Sequence, residues 1–271
     1  MTRFDRDTAV TTTGDGAYEG VVDEGWWIQR GPNGGYLAAM LLRALTAAVD
    51  DPARHARSLT IHYASAPGAG PVRIDTAVER TGRSLTTVTA RLSQDGRLCA
   101  IAIGAFATER DSPVAFADAP MPDVGSPDDP SVLVRPEGAR PTLIDRFDQR
   151  VTQGGSFLSG DPALSGGWIR LEEPRAVDAP LAALYLDAWL PPVFIRAGHP
   201  VGVPTIDLTV HFLAPLPPEG LDPAAHLAVR FESRVARGGF VEEDGELWSP
   251  DGTLLAQSRQ LALIIGMPPP G

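Results

Sequence analysis

Leu59-Thr60-Ile61-His62-Tyr63 and Leu208-Thr209-Val210-His211-Phe212 are two copies of one strand pattern, 149 positions apart. Apolar and polar residues alternate in both copies, as expected of strands with one buried face. Each copy is preceded by an apolar helical segment and followed by an arginine-rich turn and an Asp-Gly pair. A repeat of this length is too long for a solenoid unit. It therefore indicates a duplicated domain.

The first copy predicts one helix followed by an antiparallel meander. The helix is the run from Tyr36 to Val49, which contains no glycine or proline and stands directly after Asn33-Gly34-Gly35. Four strand-like segments follow, at 59–64, 72–80, 84–93 and 98–107. Asp95-Gly96 is typical of the hairpin turn between the last two. This order predicts an α+β fold.

The second copy repeats the same order. Its helix is predicted at 179–190, before Pro191-Pro192. Its strands are predicted at 205–213, 226–234, 240–248 and 254–265. Between the copies the chain is rich in proline, aspartate and glycine. We predict an N-terminal domain at 1–110, a connector at 111–141 and a C-terminal domain at 142–271.

Composition excludes several kinds of chemistry. All 23 basic residues are arginines, so the chain has no lysine for a Schiff base or a phosphate loop. The net charge of −11 argues against nucleic acids and anionic membranes as partners. Cys99 is the one cysteine, which excludes an internal disulfide, and no spacing indicates a metal site. Without a signal sequence or an apolar run of membrane length, we expect a cytoplasmic protein.

The motifs together resemble a known family. They are Asn33-Gly34-Gly35-Tyr36, the turn 80–84 (Arg-Thr-Gly-Arg-Ser), and the segments 206–212 and 251–260, in that order. This order resembles the double-hotdog acyl-CoA thioesterases, in particular the acyl-CoA thioesterase II family. The resemblance implies two tandem hotdog domains, each with a central helix wrapped by an antiparallel sheet. It also implies hydrolysis of acyl-CoA to free acid and CoA, a place in fatty acid metabolism, and no cofactor.

The resemblance further implies three catalytic residues in the second domain. In the family an Asp, a Gln and a Thr or Ser orient the attacking water, and by position these are Asp207, Gln260 and Ser233. Glu232 is the alternative for the third position. A carboxylate such as that of Asp207 can accept a proton from water, which makes the water nucleophilic.

The helix of the first domain is expected to supply the oxyanion hole. The first amides of a helix have no internal partner, and Gly34 and Gly35, next to Asn33, let a carbonyl approach them closely. The second copy has Asp178-Ala179-Pro180 at this position, and the first copy has Ser58 where the second has Asp207. The resemblance implies that a site combines the helix N-terminus of one domain with the acid of the other. We therefore predict one complete composite site.

Other interpretations stay open from the sequence. Arg80 and Arg83 form ion pairs or bind the phosphates of coenzyme A. The Asp207 and His211 pair suggests an enoyl-thioester hydratase, although the spacing differs from the one expected. A non-catalytic acyl-CoA binding protein is a third reading. Both a monomer and a homo-oligomer are compatible with the duplication.

Overall fold

The computed structural model describes residues 1–28, 31–128 and 142–266. Its N-terminal half contains two helices and six strands: α1 (Arg3–Asp7), β1 (Val10–Gly14), β2 (Ala17–Val22), α2 (Gly34–Val49), β3 (His55–Tyr63), β4 (Gly70–Thr81), β5 (Leu85–Gln94) and β6 (Arg97–Ala107). Short 3₁₀ turns lie at Glu24–Trp26 and Thr142–Arg146. Residues 129–141 of the predicted connector lie outside the described residues, and the predicted domain boundaries stay a prediction.

The C-terminal half contains two helices and nine strands: β7 (Phe147–Gly154), β8 (Leu164–Leu171), α3 (Ala179–Tyr185), α4 (Val193–Arg196), β9 (Val201–Gly202), β10 (Thr205–Phe212), β11 (Leu227–Glu232), β12 (Ala236–Arg237), β13 (Phe240–Trp248), β14 (Leu254–Leu263) and β15 (Ile265–Gly266). The α+β prediction and the positions of the meander strands are confirmed. The predicted helix at 179–190 is wrong beyond Tyr185. There the amide of Asp187 bonds the carbonyl of Leu184, three residues back, and the chain turns away.

One large antiparallel sheet joins the two halves. Its order is β1-β2-β4-β5-β6-β3-β10-β14-β13-β11-β8-β7, with β12 added beside β13. The two copies of the repeated strand, β3 and β10, lie next to each other at its centre. Thr60 stands opposite Thr209 there, and their hydroxyls are 3.0 Å apart. The order of strands reads the same from both ends, so the halves are related by a pseudo-twofold axis at this pair.

The helices α2 and α3 pack against the inner face of the sheet, which we define as the face that carries the apolar core. Asn33 caps α2, because its Oδ1 accepts a hydrogen bond from the amide of Tyr36 at 3.0 Å. Most of α2 is buried, from Gly35 to Leu45 with the exception of Arg43. Glycine is required at Gly35, since a Cβ there would lie 2.9 Å from the Cα of Leu184 in α3. The N-terminus of α2 thus contacts the C-terminal end of α3.

No helix within the described residues is long and apolar enough to cross a membrane.

Candidate active site

A carboxylate from the second half occupies the N-terminus of α2. The Oδ2 atom of Asp187 accepts hydrogen bonds from the amide of Gly35 at 2.7 Å and from the Nδ2 of Asn33 at 2.8 Å. Asn33 Nδ2 also donates to the backbone carbonyl of Asp187 at 3.0 Å. One side chain, Asn33, therefore caps the helix with its oxygen and holds the acid with its nitrogen.

The charge of Asp187 is set by two opposing effects. Burial raises the pKa of Asp187 to about 6, whereas hydrogen bonds from the amide of Gly35, the side chain of Asn33 and the amide of Gly34 act to lower it. The residue as a whole is partly exposed to solvent. Near pH 7 the group is therefore largely ionised and reachable, but its basicity exceeds that of an ordinary aspartate.

Tyr63 closes one side of this position. Its hydroxyl donates to the carbonyl oxygen of Gly34 at 2.9 Å. Burial, together with the charge of Asp187, raises the pKa of Tyr63 well above its ordinary value. The phenol therefore stays neutral and acts as a hydrogen-bond donor to the first turn of α2.

A second group of polar side chains lies on the inner face of the sheet. Thr205 of β10 donates its hydroxyl proton to Oε1 of Gln260 in β14, at 2.9 Å. Nε2 of Gln260 in turn donates to Oε1 of Glu243 in β13, at 2.5 Å. Gln260 and Glu243 are both 8% exposed. The three residues thus form one hydrogen-bonded chain across three neighbouring strands.

The two groups are close to each other. Ser258, two residues before Gln260 on the same face of β14, donates to the carbonyl of Leu186 at 3.4 Å, beside Asp187. Burial is the largest cause that raises the pKa of Glu243 to about 8, and the charge of Asp187 adds to it. Charge coupling of this kind requires proximity in a medium of low dielectric. Asp187, Thr205, Gln260 and Glu243 therefore belong to one site, which lies between the two halves.

No cation in the described parts of the chain pairs with the acids of this site. Among the described residues neither Asp187 nor Glu243 forms an ion pair with arginine or histidine. Within those same parts of the chain, no group of three or more His, Cys, Asp or Glu side chains could hold a metal ion. Near neutral pH, Asp187 is an ionised acid and Glu243 a neutral one, while Gln260 contributes an amide and Thr205 a hydroxyl.

The structure brings four of the predicted residues together: Asn33, Gly34, Gly35 and Gln260. The role expected of the two glycine amides changes, however. An oxyanion hole requires free N–H groups, and the amide of Gly35 is engaged by Asp187 in this structure. Here the N-terminus of α2 stabilises a protein carboxylate.

The structure does not bring Asp207 to the site, and this prediction needs correction. Asp207 stands opposite Leu261 on one side and His62 on the other, and both of those side chains are exposed. Leu208, which is fully buried, is the residue opposite Gln260. Successive side chains of a strand point to opposite faces, so Asp207 lies on the outer face of the sheet and Gln260 on the inner face.

The predicted hydroxyl residue is also displaced. No hydrogen bond joins Ser233 to Gln260; the Oγ of Ser233 is buried without a hydrogen-bond partner among the described residues. The alternative, Glu232, accepts a hydrogen bond from Arg230 at 2.9 Å. The hydroxyl that contacts Gln260 is that of Thr205. The hydroxyl predicted at Ser233 is therefore supplied by Thr205, through a direct contact with Gln260.

Arg80 and Arg83 lie at the far end of the N-terminal sheet. The register across the sheet brings this end level with Ala56 of β3. Thr81 of β4 pairs with Thr86 of β5, which pairs with Phe106 of β6, and Phe106 pairs with Ala56. Ala56 precedes Tyr63 by seven residues on β3, a separation of roughly 20 Å along the strand. Both arginines are exposed. Their predicted contact with coenzyme A is therefore not supported at this site.

The sequence patterns did not predict Asp187, Thr205 or Glu243, although Asp187 and Glu243 each left a signal. Asp187 is the one acid in the apolar run from Leu181 to Leu190. Glu243 lies an even number of residues from Val241 and Leu247, which are both buried. The alternation of a strand therefore predicts that its side chain points inward. Thr205 had no such signal. A β-bulge at Ile206 breaks the alternation, and simple counting from Leu208 would turn Thr205 outward.

Comparison with known proteins agrees with this architecture. Residues 23–107 match the family model of the acyl-CoA thioesterase N-terminal domain, and residues 119–264 match that of the C-terminal domain. A hot dog fold protein of unknown function from Alicyclobacillus acidocaldarius superposes with a TM-score of 0.86 at 29% identity, covering 99% of this chain and 100% of the other.

Two further relatives extend the comparison. A candidate thioesterase II from Thermobifida fusca superposes with a TM-score of 0.83 at 29% identity, covering 98% of each chain. An uncharacterised protein of Mycobacterium tuberculosis is 26% identical over 277 residues, which cover 91% of this chain and 90% of the relative. The C-terminal family model alone spans more than half of the chain. The chain therefore belongs to the acyl-CoA thioesterase family and is an acyl-CoA thioesterase with the double hotdog fold.

Proposed function

We propose that this protein hydrolyses acyl-CoA thioesters with a water molecule held by Asp187, Thr205 and Gln260. The observation that supports the proposal most directly is the position of Asp187. A carboxylate from the second half is held against the first turn of α2, beside the Thr205–Gln260–Glu243 chain. This arrangement keeps the composite site that the sequence predicts and moves its acid from Asp207 to Asp187.

Asp187 is the proposed general base. It takes a proton from the water while the water oxygen attacks the thioester carbonyl carbon. When the tetrahedral intermediate collapses, the C–S bond breaks and the proton passes from Asp187 to the leaving thiolate, which gives free acid and CoA. A pKa of about 6 suits this role, because the group is ionised at neutral pH and more basic than an exposed aspartate.

Thr205 and Gln260 are proposed to orient the water. The hydroxyl of Thr205 donates its proton to Gln260, so toward the water it can act only as an acceptor, through its lone pairs. Nε2 of Gln260 carries two hydrogens, and only one is donated to Glu243. The second can donate to the water oxygen or to the thioester carbonyl. Between them, the two side chains offer one acceptor and one donor.

The hydratase reading loses its structural support. It depends on Asp207 and His211, which both lie on the outer face of the central strands. His211 is exposed and stands opposite Ser58. Neither residue is near the N-terminus of α2. A measurement of turnover distinguishes the binding-protein reading from hydrolysis, because a binding protein would release no thiol from acyl-CoA.

The test is thiol release from a panel of short-, medium- and long-chain acyl-CoAs by the wild-type protein and two matched variants. Asp187→Asn removes the base and keeps the shape, and we expect kcat to fall by about 10²- to 10⁴-fold. Asp207→Asn makes the same change on the outer face and should leave kcat within about twofold.

Two results would contradict the proposal. Loss of activity in Asp207→Asn with retention in Asp187→Asn would return the acid to its first predicted position. Tight binding of acyl-CoA by the wild-type protein, without thiol release from any member of the panel, would support the binding-protein reading instead.

A further inference from the structure

Glu243 is a buried acid that neither the predicted catalytic residues nor the proposed mechanism uses. It lies on the inner face of β13, directly opposite Gln260. Its side chain is 8% exposed, and its Oε1 accepts the short hydrogen bond from Nε2 of Gln260. No arginine or histidine pairs with it among the described residues. A buried acid without a cation needs a reason to be there, because burying its charge is costly.

The surroundings of Glu243 favour its neutral form. Burial raises the pKa of Glu243 to about 8, and the nearby charges of Asp187, Glu242 and Asp244 act in the same direction. A protonated carboxyl group still has an oxygen that accepts a hydrogen bond. Glu243 can therefore accept from Gln260 without adding a second negative charge beside Asp187.

This contact determines which way the amide of Gln260 faces. The amide has an oxygen end and a nitrogen end, and two partners flank it, Glu243 and Thr205. With the Oε1 acceptor of Glu243 on one side, the NH₂ group must lie there and the carbonyl oxygen must face Thr205. The Thr205 hydroxyl is then obliged to donate to Gln260. If the amide turned over, its NH₂ would face Thr205. The hydroxyl would then use one of its two lone pairs in that contact, and its proton would be free to donate to the water.

We propose that Glu243 is a positioning residue that fixes the amide orientation of Gln260 and, through it, the hydroxyl of Thr205. This inference deepens the proposed function and rests on it for the roles of Gln260 and Thr205. The proposal concerns the direction of two hydrogen bonds, from Thr205 to Gln260 and from Gln260 to Glu243. That direction leaves one N–H of Gln260 and the lone pairs of the Thr205 hydroxyl for the reacting water. Glu243 itself touches neither water nor substrate in this scheme.

The kinetic test compares two substitutions at one position. Glu243→Gln keeps an acceptor oxygen for Gln260 and should retain kcat within about threefold. Glu243→Leu has a similar size but offers no acceptor, and we expect kcat to fall by about tenfold or more while KM changes little. Glu246→Gln, on the same strand but not on the inner face, is the matched control and should behave as wild type. Far-UV circular dichroism checks that each variant folds.

A second measurement does not depend on turnover. In ¹⁵N-labelled protein the side-chain NH₂ signals of Gln260, assigned by their loss in Gln260→Leu, should exchange slowly with solvent in the wild type and in Glu243→Gln. They should exchange at least about tenfold faster in Glu243→Leu, because the hydrogen bond is gone.

The outcomes separate this inference from the proposed function. Absence of thiol release by the wild type would contradict the proposed function, while the exchange measurement would still decide the contact. Slow exchange in Glu243→Leu, or full kcat in that variant, would overturn the positioning role. Equal loss of kcat in Glu243→Gln and Glu243→Leu would also overturn it, since the carboxyl group itself would then be needed.

Discussion

The N-termini of α2 and α3 are equivalent by the pseudo-twofold axis but differ in what they offer. At α2, Asn33 caps the helix and the amide of Gly35 binds Asp187. At α3, Asp178 caps the helix with its own carboxylate, which also pairs with Arg175 at 2.5 Å. The position equivalent to Gly35 is Pro180, which has no N–H to donate. The second N-terminus therefore cannot hold an acid in the same way.

The sheet residues around the two N-termini also differ. Leu59 is the counterpart of Leu208. It pairs with Gly104 of β6, and Gly104 pairs in turn with Val88 of β5. These take the places of Gln260 and Glu243. Ala56 takes the place of Thr205, even though both strands carry the bulge.

The position at the N-terminus of α3 is therefore a cavity that lacks the groups proposed to be catalytic. A cavity of about 1030 Å³ lies there, lined in part by Ala56 and Asp178. The fold thus provides two equivalent positions between the halves, and chemistry requires the side chains to be placed at only one of them.

Among the changes that compare the two helix termini, the largest effect is expected from substitution of Gly35 at the N-terminus of α2. A Cβ at Gly35 would lie 2.9 Å from the Cα of Leu184 and from the Cβ of Asp187, so Gly35→Ala forces the acid to move. A displacement near 1 Å costs about 10²-fold in rate, and overpacking costs about 1–3 kcal/mol in stability. Thiol release and urea unfolding measure both. Pro180→Ala, the change at the equivalent position, should leave thiol release unaltered; equal losses in both variants would remove the distinction between the two termini.

Removal of the Thr205 hydroxyl should have the next largest effect. Thr205→Val keeps the shape and deletes the contact with Gln260, and we expect kcat to fall by about ten- to hundredfold, equivalent to ~1–3 kcal/mol. Thr205→Ser restores a hydroxyl and should recover most of the activity. Full activity in Thr205→Val would show that the water is oriented by other groups.

The pH dependence of hydrolysis should follow Asp187. The base must be ionised, so kcat/KM should decline below about pH 6, approaching tenfold per pH unit in acid. Asp187→Asn should lose this acidic limb along with most of its activity. An acidic limb centred near pH 4 would indicate that the carboxylate is not buried as the structure has it.

Stability should respond to Glu243 in the alkaline range. Its pKa is raised from 4.5 in an exposed group to about 8, so the folded state binds more protons than the unfolded state between these values. Wild-type stability therefore falls as the pH rises from about 4.5 to 8, and Glu243→Gln avoids this loss. We expect the variant to gain more than about 1 kcal/mol over the wild type between pH 5 and pH 9. Chemical unfolding at the two pH values measures the difference, and a constant difference would mean that Glu243 is ionised in both states.

The smallest effect is expected at the far end of the N-terminal sheet. Arg83 is exposed and distant from the site, so Arg83→Ala should change the KM for acyl-CoA by less than about twofold. A large increase in KM, with kcat unchanged, would restore the original assignment of this turn to coenzyme A.

The duplicated α+β fold followed from the sequence because it depends on local patterns repeated in order. The strands β3 and β10 share a pattern, and Asn33-Gly34-Gly35 marks the start of a helix whatever lies around it. Gln260 was found as part of such a motif. These features are visible in short stretches of chain.

The rest of the site depends on contacts that short stretches do not encode. Asp187 reaches a partner 154 positions earlier, at Asn33, and does so only because α3 ends at Tyr185. Thr205 faces inward because of a bulge, and a shift of one residue reverses every side chain beyond it. Asp207 was predicted by its position in the family's order of residues, and the strand alternation places its side chain on the outer face.

The Thr60–Thr209 pairing at the centre of the sheet has a consequence for assembly. Since α2 and Asp187 come from different halves, neither half has a complete set of groups, and separate halves would regain hydrolysis only by associating through β3 and β10. Their activity would then depend on protein concentration, as in an enzyme made of two subunits. In the natural chain the covalent link keeps the halves at an effective concentration on the order of millimolar. Pairing of the two halves in the single chain is therefore independent of protein concentration.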